Sequence, residues 1–193
     1  MLRVALATAL LPLAAAAPRP VTVFHDTVWF RGGEPAADLT ITQTLVGRCV
    51  GGARSSARPD AWRCFIDNYF ADPCFSPSSR SRLVVCPNDP WSRNVRIVEL
   101  SRPLPAVRKR PVRAFAPWAV WTLNGKRCVI AVSGATLRLG GQRVRYECAV
   151  SGFLVGYANT RDRLWTIGYV PRFALAKPNR SHPRSVGITD VWR

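Results

Sequence analysis

Six cysteines constrain the fold of this chain more than any other feature of its sequence. They are Cys49, Cys64, Cys74, Cys86, Cys128 and Cys148. An even number of cysteines without C-x2-C spacing favours a disulfide framework over a thiolate metal site. Pairing of sequence neighbours gives Cys49–Cys64, Cys74–Cys86 and Cys128–Cys148. In the chain-entropy model, closing a loop of this size contributes about 3 kcal/mol.

The start of the chain has the plan of a secretory signal peptide. Residues 1–3 are cationic, Val4 to Leu13 form an apolar run, and residues 14–17 are four alanines. Because a membrane helix needs roughly 20 apolar residues, this run is too short to be an anchor. We therefore expect a signal peptide over residues 1–16, cleaved after Ala16. The mature protein is then secreted or periplasmic, where disulfides persist, with no membrane span.

Positive charge is concentrated in the second half of the chain. The formal net charge is +17; residues 17–99 hold 10 Lys/Arg and 8 Asp/Glu, whereas residues 100–193 hold 17 and 3. Such a field attracts anionic partners and speeds their encounter. The alternative is that the charge reflects coding composition, because only three of the 28 cations are lysine.

Alternating hydrophobicity predicts a mainly β fold. Residues 39–50 place Leu39, Ile41 and Leu45 against threonines with a period of two, and Asn124-Gly125 and Gly140-Gly141 are hairpin turn signals. We predict a single disulfide-stapled antiparallel β domain over residues 39–171, sandwich-like or barrel-like. A 17–38 extension would precede it and a 172–193 tail would follow it, although Val186 to Trp192 could return as a strand.

One short helix is predicted before the second cysteine. Trp62, Phe65, Ile66 and Tyr69 recur at intervals of 3, 4 and 7, which is one face of a helix. With Ser55 or Ser56 as a cap, the helix would run from Pro59 to Ile66. Cys49–Cys64 would then tie this helix to the preceding strand.

The Gly140-Gly141 turn conflicts with one of the disulfides. Its register places Arg138 opposite Arg143, and it cannot place Cys128 opposite Cys148 in the same regular hairpin. Either Cys128 lies on a separate strand or a bulge intervenes. Because like charges opposite each other are destabilising, the arginine-bearing side must be solvated or neutralised.

Catalytic patterns are missing from the sequence. The two histidines, His25 and His182, are far apart in sequence, and neither a G-x-S-x-G elbow nor a phosphate-binding loop is present. Four aspartates are close in sequence: Asp60, Asp67, Asp72 and Asp89. Helix-start and loop roles explain them better than paired acid–base catalysis. We therefore predict no catalytic residue, no cofactor and no metal.

Arginine-rich segments supply the binding candidates. The predicted anion-binding residues are Arg108, Lys109, Arg110 and Arg113 on a proline-spaced connector, and Arg138, Arg143 and Arg145 on the second hairpin. Trp91 and Trp118 flank the connector and could stack on sugars or bases if exposed. A core position is favoured for both, because aromatic side chains dominate core packing.

The sequence R-P-D-A-W-R-C over residues 58–64, followed by D-P-C-F over residues 72–75, carries a resemblance. It resembles a group of exported bacterial proteins of unknown function. Further matches are Pro117-Trp118, residues 124–128 and residues 146–148, so the resemblance covers about residues 45–170. It implies export and structural cysteines, and it supplies no activity.

Three functions are compatible with these patterns. The first is a non-enzymatic cationic module that binds an anionic polymer or an acidic protein surface in the envelope or outside the cell. The second is a protein-binding module, such as a protease inhibitor that displays the connector. The third is a carboxylate-dependent hydrolase that uses Asp67 or Asp72.

Overall fold

A computed structural model describes residues 19–56, 58–106, 117–131 and 137–193. Over these residues the chain is mainly β, as the sequence predicts, and contains no α-helix. The strands are β1 (Val23–His25), β2 (Phe30–Arg31), β3 (Glu34–Pro35), β4 (Thr40–Gly52), β5 (Ala61–Ile66), β6 (Tyr69–Phe75), β7 (Leu83–Pro87), β8 (Asn94–Leu100), β9 (Ala119–Thr122), β10 (Arg127–Ile130), β11 (Arg138–Leu139), β12 (Gln142–Cys148), β13 (Gly152–Asn159), β14 (Trp165–Pro171) and β15 (Arg184–Trp192). The predicted signal peptide lies outside the described residues.

Strands β4 to β8 form a closed barrel, called here the first barrel. Consecutive strands pair antiparallel, while β4 and β8 pair in parallel. An up-and-down run of five strands leaves its first and last strands pointing the same way, so the closing pair must be parallel. Closure removes the exposed edges that would otherwise invite pairing with other chains.

The second barrel is a ring of six strands in the order β15, β14, β13, β12, β10 and β9, in which β9 pairs back with β15. Strand β15 pairs with β14 through residues 184–188, and its last residues pair with β9 and, in parallel, with β1. The predicted 172–193 tail therefore contains a central strand of this barrel. Its buried Ile188 and Val191 explain why it packs inward.

The segment predicted as a short helix is instead strand β5, so that prediction is wrong. Trp62, Cys64 and Ile66 are buried, while Arg63 and Phe65 between them are half-buried. This alternation has a period of two. The strand pairs with both β4 and β6, which supplies backbone hydrogen bonds that an isolated helical turn would lack. The described residues outside the strands include two short 3₁₀ helices, Arg172–Ala176 and Pro178–Arg180.

Three disulfides join the sequence neighbours Cys49–Cys64, Cys74–Cys86 and Cys128–Cys148. The first two link adjacent strands of the first barrel, and the third links β10 to β12 in the second barrel. All six sulfur-bearing side chains are buried. The disulfides therefore reinforce each barrel separately, which is compatible with a protein made in an oxidising compartment.

The conflict between the Gly-Gly turn and the third disulfide is resolved by two strands that share one partner. Strand β11 pairs with the first part of β12 and places Arg138 opposite Arg143. Strand β10 pairs with the last part of β12 through Val129 and Glu147. Cys128 therefore lies on a separate strand from the Gly140-Gly141 hairpin, which was one of the two alternatives.

A layer of buried aromatic side chains joins the two barrels, and we call Trp29, Phe75 and Trp118 the tryptophan layer. Trp29 stacks on Phe75 with ring centroids 5.5 Å apart, and the Trp118 ring lies 6.3 Å from each of them. Ala119 and Val95 pack in the same cluster. Since Trp29 precedes the first barrel and Trp118 begins the second, this layer connects three parts of the chain, including the predicted 17–38 extension.

Among the described residues, no helix combines the length and the apolar character that crossing a bilayer requires.

Replacing Trp118 with alanine should lower the free energy of unfolding by about 3–5 kcal/mol, because the ring is fully buried and its removal leaves a cavity. Chemical denaturation of oxidised protein measures this loss. The matched control is Phe173→Ala, whose side chain is 82% exposed; it should stay within about 0.5 kcal/mol of the wild type. Equal effects of the two substitutions would contradict the layer's role.

Candidate functional site

The histidines and carboxylates of the described residues do not assemble a catalytic or metal site. His25 Nε2 lies 2.7 Å from Asp190 Oδ1, and the ring stacks on Trp192. Within the described part of the chain, no hydroxyl or thiol bonds to His25, so this pair lacks a nucleophile. No group of three or more potential ligands among these residues could hold a metal ion.

The clustered aspartates have local roles. Both carboxylate oxygens of Asp60 accept hydrogen bonds from Arg58, at 2.9 and 2.6 Å. Asp72 accepts from the backbone and hydroxyl of Ser55, and Asp89 accepts from the Trp91 backbone N–H. Asp67 is exposed between β5 and β6 with a φ of 51°. Asp60 is therefore an ion-pair partner and does not begin a helix, and these contacts leave the hydrolase hypothesis without a paired site.

A cleft of about 570 Å³ lies between residues 26–30 and the first barrel. Its charged groups are already engaged in internal contacts. Arg58 donates to the Thr27 carbonyl at 2.8 Å as well as to Asp60, and Asp26 pairs with Arg193 at 2.7 Å. These contacts attach the N-terminal segment to the first barrel and to the end of the chain, so the charged groups of the cleft already have partners within the protein.

Three of the predicted anion-binding residues come together on the outer side of the second barrel. Arg138 is the direct cross-strand partner of Arg143, and Arg145 lies at a bulge in the pairing of β12 with β13. The Arg145 guanidinium lies 4.0 Å from the ring of Tyr157, which is 79% exposed. We call Arg138, Arg143, Arg145 and Tyr157 the arginine face.

The burial pattern of β12 accompanies this arrangement. Val144, Tyr146 and Cys148 are buried, Val144 in a different apolar cluster from the other two, while Arg143 is exposed and Arg145, at the bulge between Val144 and Tyr146, is half-buried. Gly140 and Gly141 have φ values of 56° and 75°. Those values suit the tight turn that brings Arg138 back over Arg143.

The arginine face carries charge that the protein itself does not neutralise. Residues 117–193 hold 12 Lys/Arg and 3 Asp/Glu, a net of +9. Among the described residues, the cations of this segment that form ion pairs are Arg172, with Glu147, and Arg193, with Asp26. Arg138 donates to the Gly141 carbonyl at 3.0 Å instead. Arg138 and Arg143 are therefore exposed to solvent, one of the two outcomes expected from the sequence, while Arg145 is half-buried and its Nε atom is buried without a hydrogen-bond partner among the described residues.

The other four predicted residues, Arg108, Lys109, Arg110 and Arg113, lie outside the described residues.

A second cluster of aromatic and charged side chains lies where the barrels meet, and it was not singled out from the sequence. We call Trp91, Trp121, Arg127, Asp190 and Trp192, together with His25, the junction patch. The Arg127 guanidinium lies 4.5 Å from the Trp121 ring and 5.8 Å from the Trp91 ring. The Asn124-Gly125 hairpin signal could have indicated that Trp121 and Arg127 are neighbours. Trp91 is half-buried here, whereas Trp118 is buried, as the core position predicted.

No protein-family model, no curated protein and no solved structure matches this chain.

Tyr146 beneath the arginine face gives the protein a predicted sensitivity to alkaline pH. Burial raises the pKa of Tyr146, and the nearby charge of Arg145 opposes this only in part. In the unfolded chain a tyrosine ionises near pH 10. The buried neutral phenol therefore contributes its full stabilisation below about pH 10. Above that pH, the free energy of unfolding falls by up to about 1.4 kcal/mol per pH unit.

Tyr146→Phe removes this sensitivity. Its hydroxyl donates to the Pro117 carbonyl at 2.8 Å, so the variant should be about 1–2 kcal/mol less stable than the wild type at pH 7. The difference in the free energy of unfolding between the wild type and Tyr146→Phe should shrink between pH 10 and 11, as measured by denaturant unfolding. Tyr157→Phe on the exposed side is the matched control. A difference that stays constant with pH would contradict the prediction.

Proposed function

We propose that this protein is a non-enzymatic module that binds an anionic polymer through the arginine face of its second barrel. The observation that carries the proposal is that Arg138, Arg143 and Arg145 lie side by side without a carboxylate partner among the described residues. Uncompensated positive charge on one face both attracts anions and orients them.

The layout of the arginine face favours a polymer over a small anion. Arg138 and Arg143 face each other across β11 and β12, and Arg145 lies two residues further along β12, at the bulge. Side chains in such positions are about 5–7 Å apart at their Cα atoms and stand roughly parallel on a sheet. They do not converge on one point, so a chain of repeating charges suits them better than a single ion.

The sheet also keeps the ordering cost of binding low. Strand β12 is paired on both sides, and its inward side chains are buried. Tyr157 packs against Arg145 and limits the freedom of that side chain. A preorganised cationic surface loses less conformational entropy when its partner arrives.

The expected partner is an envelope or extracellular polymer, since the predicted signal peptide and the disulfide framework are both typical of exported proteins. An acidic protein surface is the alternative partner and would bind through the same charges. The protease-inhibitor hypothesis depends on the connector, whose basic part from residue 107 to residue 113 lies outside the described residues, so the arginine face carries the proposal.

Neutralising the arginine face should weaken polyanion binding. The triple variant Arg138→Gln, Arg143→Gln, Arg145→Gln should bind fluorescein-labelled dextran sulfate about tenfold more weakly than the wild type at low salt, as measured by fluorescence anisotropy. Neutral dextran of the same length should not bind either protein.

The matched control removes the same charge from the first barrel. Arg80, Arg82 and Arg102 are exposed, and their replacement by glutamine gives a variant of the same net charge. This control should keep affinity within about twofold of the wild type. If both triple variants lose affinity equally, total charge is responsible and the arginine face is not the site.

A further inference from the structure

We propose that the junction patch is a saccharide site that binds an acidic sugar, of the uronic-acid class, on its tryptophan and arginine side chains. This site is separate from the arginine face and does not require polymer binding there. Side chains from both barrels contribute to it: Trp91 precedes β8 of the first barrel, and the other members lie on β1, β9, β10 and β15.

The strands of the second barrel place the polar members of the patch in one row. Arg127 is the cross-strand partner of Trp121, and Trp121 is the partner of Asp190. Cys128 and Val120 beside them are fully buried inside the barrel. The row therefore faces outward, with a cation at one end, an aromatic ring in the middle and a carboxylate at the other end.

A second row supplies more ring surface. Trp192 is the cross-strand partner of His25, and their rings stack with centroids 4.8 Å apart. Trp91 meets Trp192 edge to face at 5.5 Å. Trp91, Trp121 and Trp192 are all half-buried. Arg127 covers part of the Trp121 ring and His25 covers one face of Trp192, and the remaining indole surface of the patch is partly accessible.

This combination matches the chemistry of a sugar ring. The face of an indole carries the negative part of the ring quadrupole, and the C–H groups on one side of a pyranose present weak positive charge to it. The hydroxyl groups of the sugar point outward from the ring edge, where Asp190 can accept and Arg127 can donate hydrogen bonds. His25 holds the Asp190 carboxylate in place at 2.7 Å.

Arg127 indicates that the sugar is acidic. It is exposed, and it forms no ion pair with a carboxylate of the described residues. Its guanidinium lies over the Trp121 ring, so its N–H edges stay available for a planar, bidentate bond to a carboxylate. A uronic acid supplies that carboxylate on the same ring whose C–H face packs on tryptophan.

The carboxylate of Asp190 favours a sugar over a nucleic acid. It shares its row with Trp121 and Arg127, so the ligand group beside Asp190 must be a neutral hydrogen-bond donor, which the backbone of a deoxyoligonucleotide lacks between its phosphodiesters. A uronic acid places one carboxylate at Arg127 and presents neutral hydroxyl donors to Asp190. Stacking of a nucleic-acid base on the tryptophans is the rival outcome that the experiment must separate.

The test is isothermal titration of the oxidised protein with tetragalacturonate, with maltotetraose and with the single-stranded oligonucleotide dT4, all at one salt concentration. We expect tetragalacturonate to bind measurably and at least about tenfold more tightly than either of the others. Equal or tighter binding of dT4 would overturn the assignment to a sugar. Equal binding of maltotetraose would overturn the role given to the carboxylate, and no binding of tetragalacturonate would overturn the site.

Variants locate the site. Arg127→Gln should weaken tetragalacturonate binding by about tenfold or more, and Trp121→Phe should weaken it by a smaller factor because a ring is retained. Arg184→Gln is the matched control, since Arg184 is exposed on the same barrel, and it should stay within about twofold of the wild type. An equal loss in Arg127→Gln and Arg184→Gln would overturn the assignment.

The triple variant of the arginine face separates this site from the proposed function. If the junction patch is independent, that variant keeps its affinity for the short tetragalacturonate while losing affinity for dextran sulfate. Loss of tetragalacturonate binding in the triple variant would place the saccharide on the arginine face and overturn the junction site.

Discussion

The packing of Trp29, Phe75 and Trp118 between the barrels is the interaction on which the rest of the structure depends. Each barrel is closed and has its own core, so the barrels need a separate apolar surface to hold them together. The tryptophan layer supplies it, and Arg58 adds a polar link from the first barrel to the N-terminal segment through the Thr27 carbonyl. The junction patch lies at the edge of this layer and exists only while the two barrels are packed.

Closure of the barrels also determines where charge can be placed. Because each ring closes on itself, it offers no free edge to a partner strand, so binding is expected to use side chains on the outer faces. The first barrel balances much of its charge, for example through Arg58–Asp60 and Arg93–Asp38. The second barrel has few acidic residues. The difference in charge between the barrels, more than their shape, therefore separates a structural half from a proposed binding half.

Part of this fold could be predicted from local patterns in the sequence. Cysteine spacing gave the three pairs, and the Gly140-Gly141 turn gave the register of Arg138 with Arg143, because both depend on residues close in sequence. The helix prediction failed because Trp62 and Ile66 are four apart, a spacing that suits a helical face and an alternating strand equally well. The segment forms a strand because it pairs with β4 on one side and β6 on the other. The local spacing of residues does not record this pairing.

Long-range pairing also explains the other differences between the predictions from the sequence and the structure. Strand β15 pairs with β1, which is more than 160 residues away, so the 172–193 segment looked like a tail in isolation. The junction patch was missed for the same reason. Trp91 is brought to Arg127 by the packing of the two barrels, and no pattern of spacing records that contact. Of the arginine face, the sequence predicted the three arginines, while Tyr157 emerged only from the pairing of β12 with β13.

The arginine face lies on β11, β12 and β13, whereas the junction patch lies where the two barrels meet. Together they would let the protein bind a polymer both through its charged groups and through its sugar rings. The electrostatic contribution is the central claim. The most direct measurement is the salt dependence of dextran sulfate affinity for the wild type and for the triple arginine variant. The account predicts that log K falls linearly with log salt concentration and that the slope of the variant is shallower by about 2. Equal slopes would contradict the account.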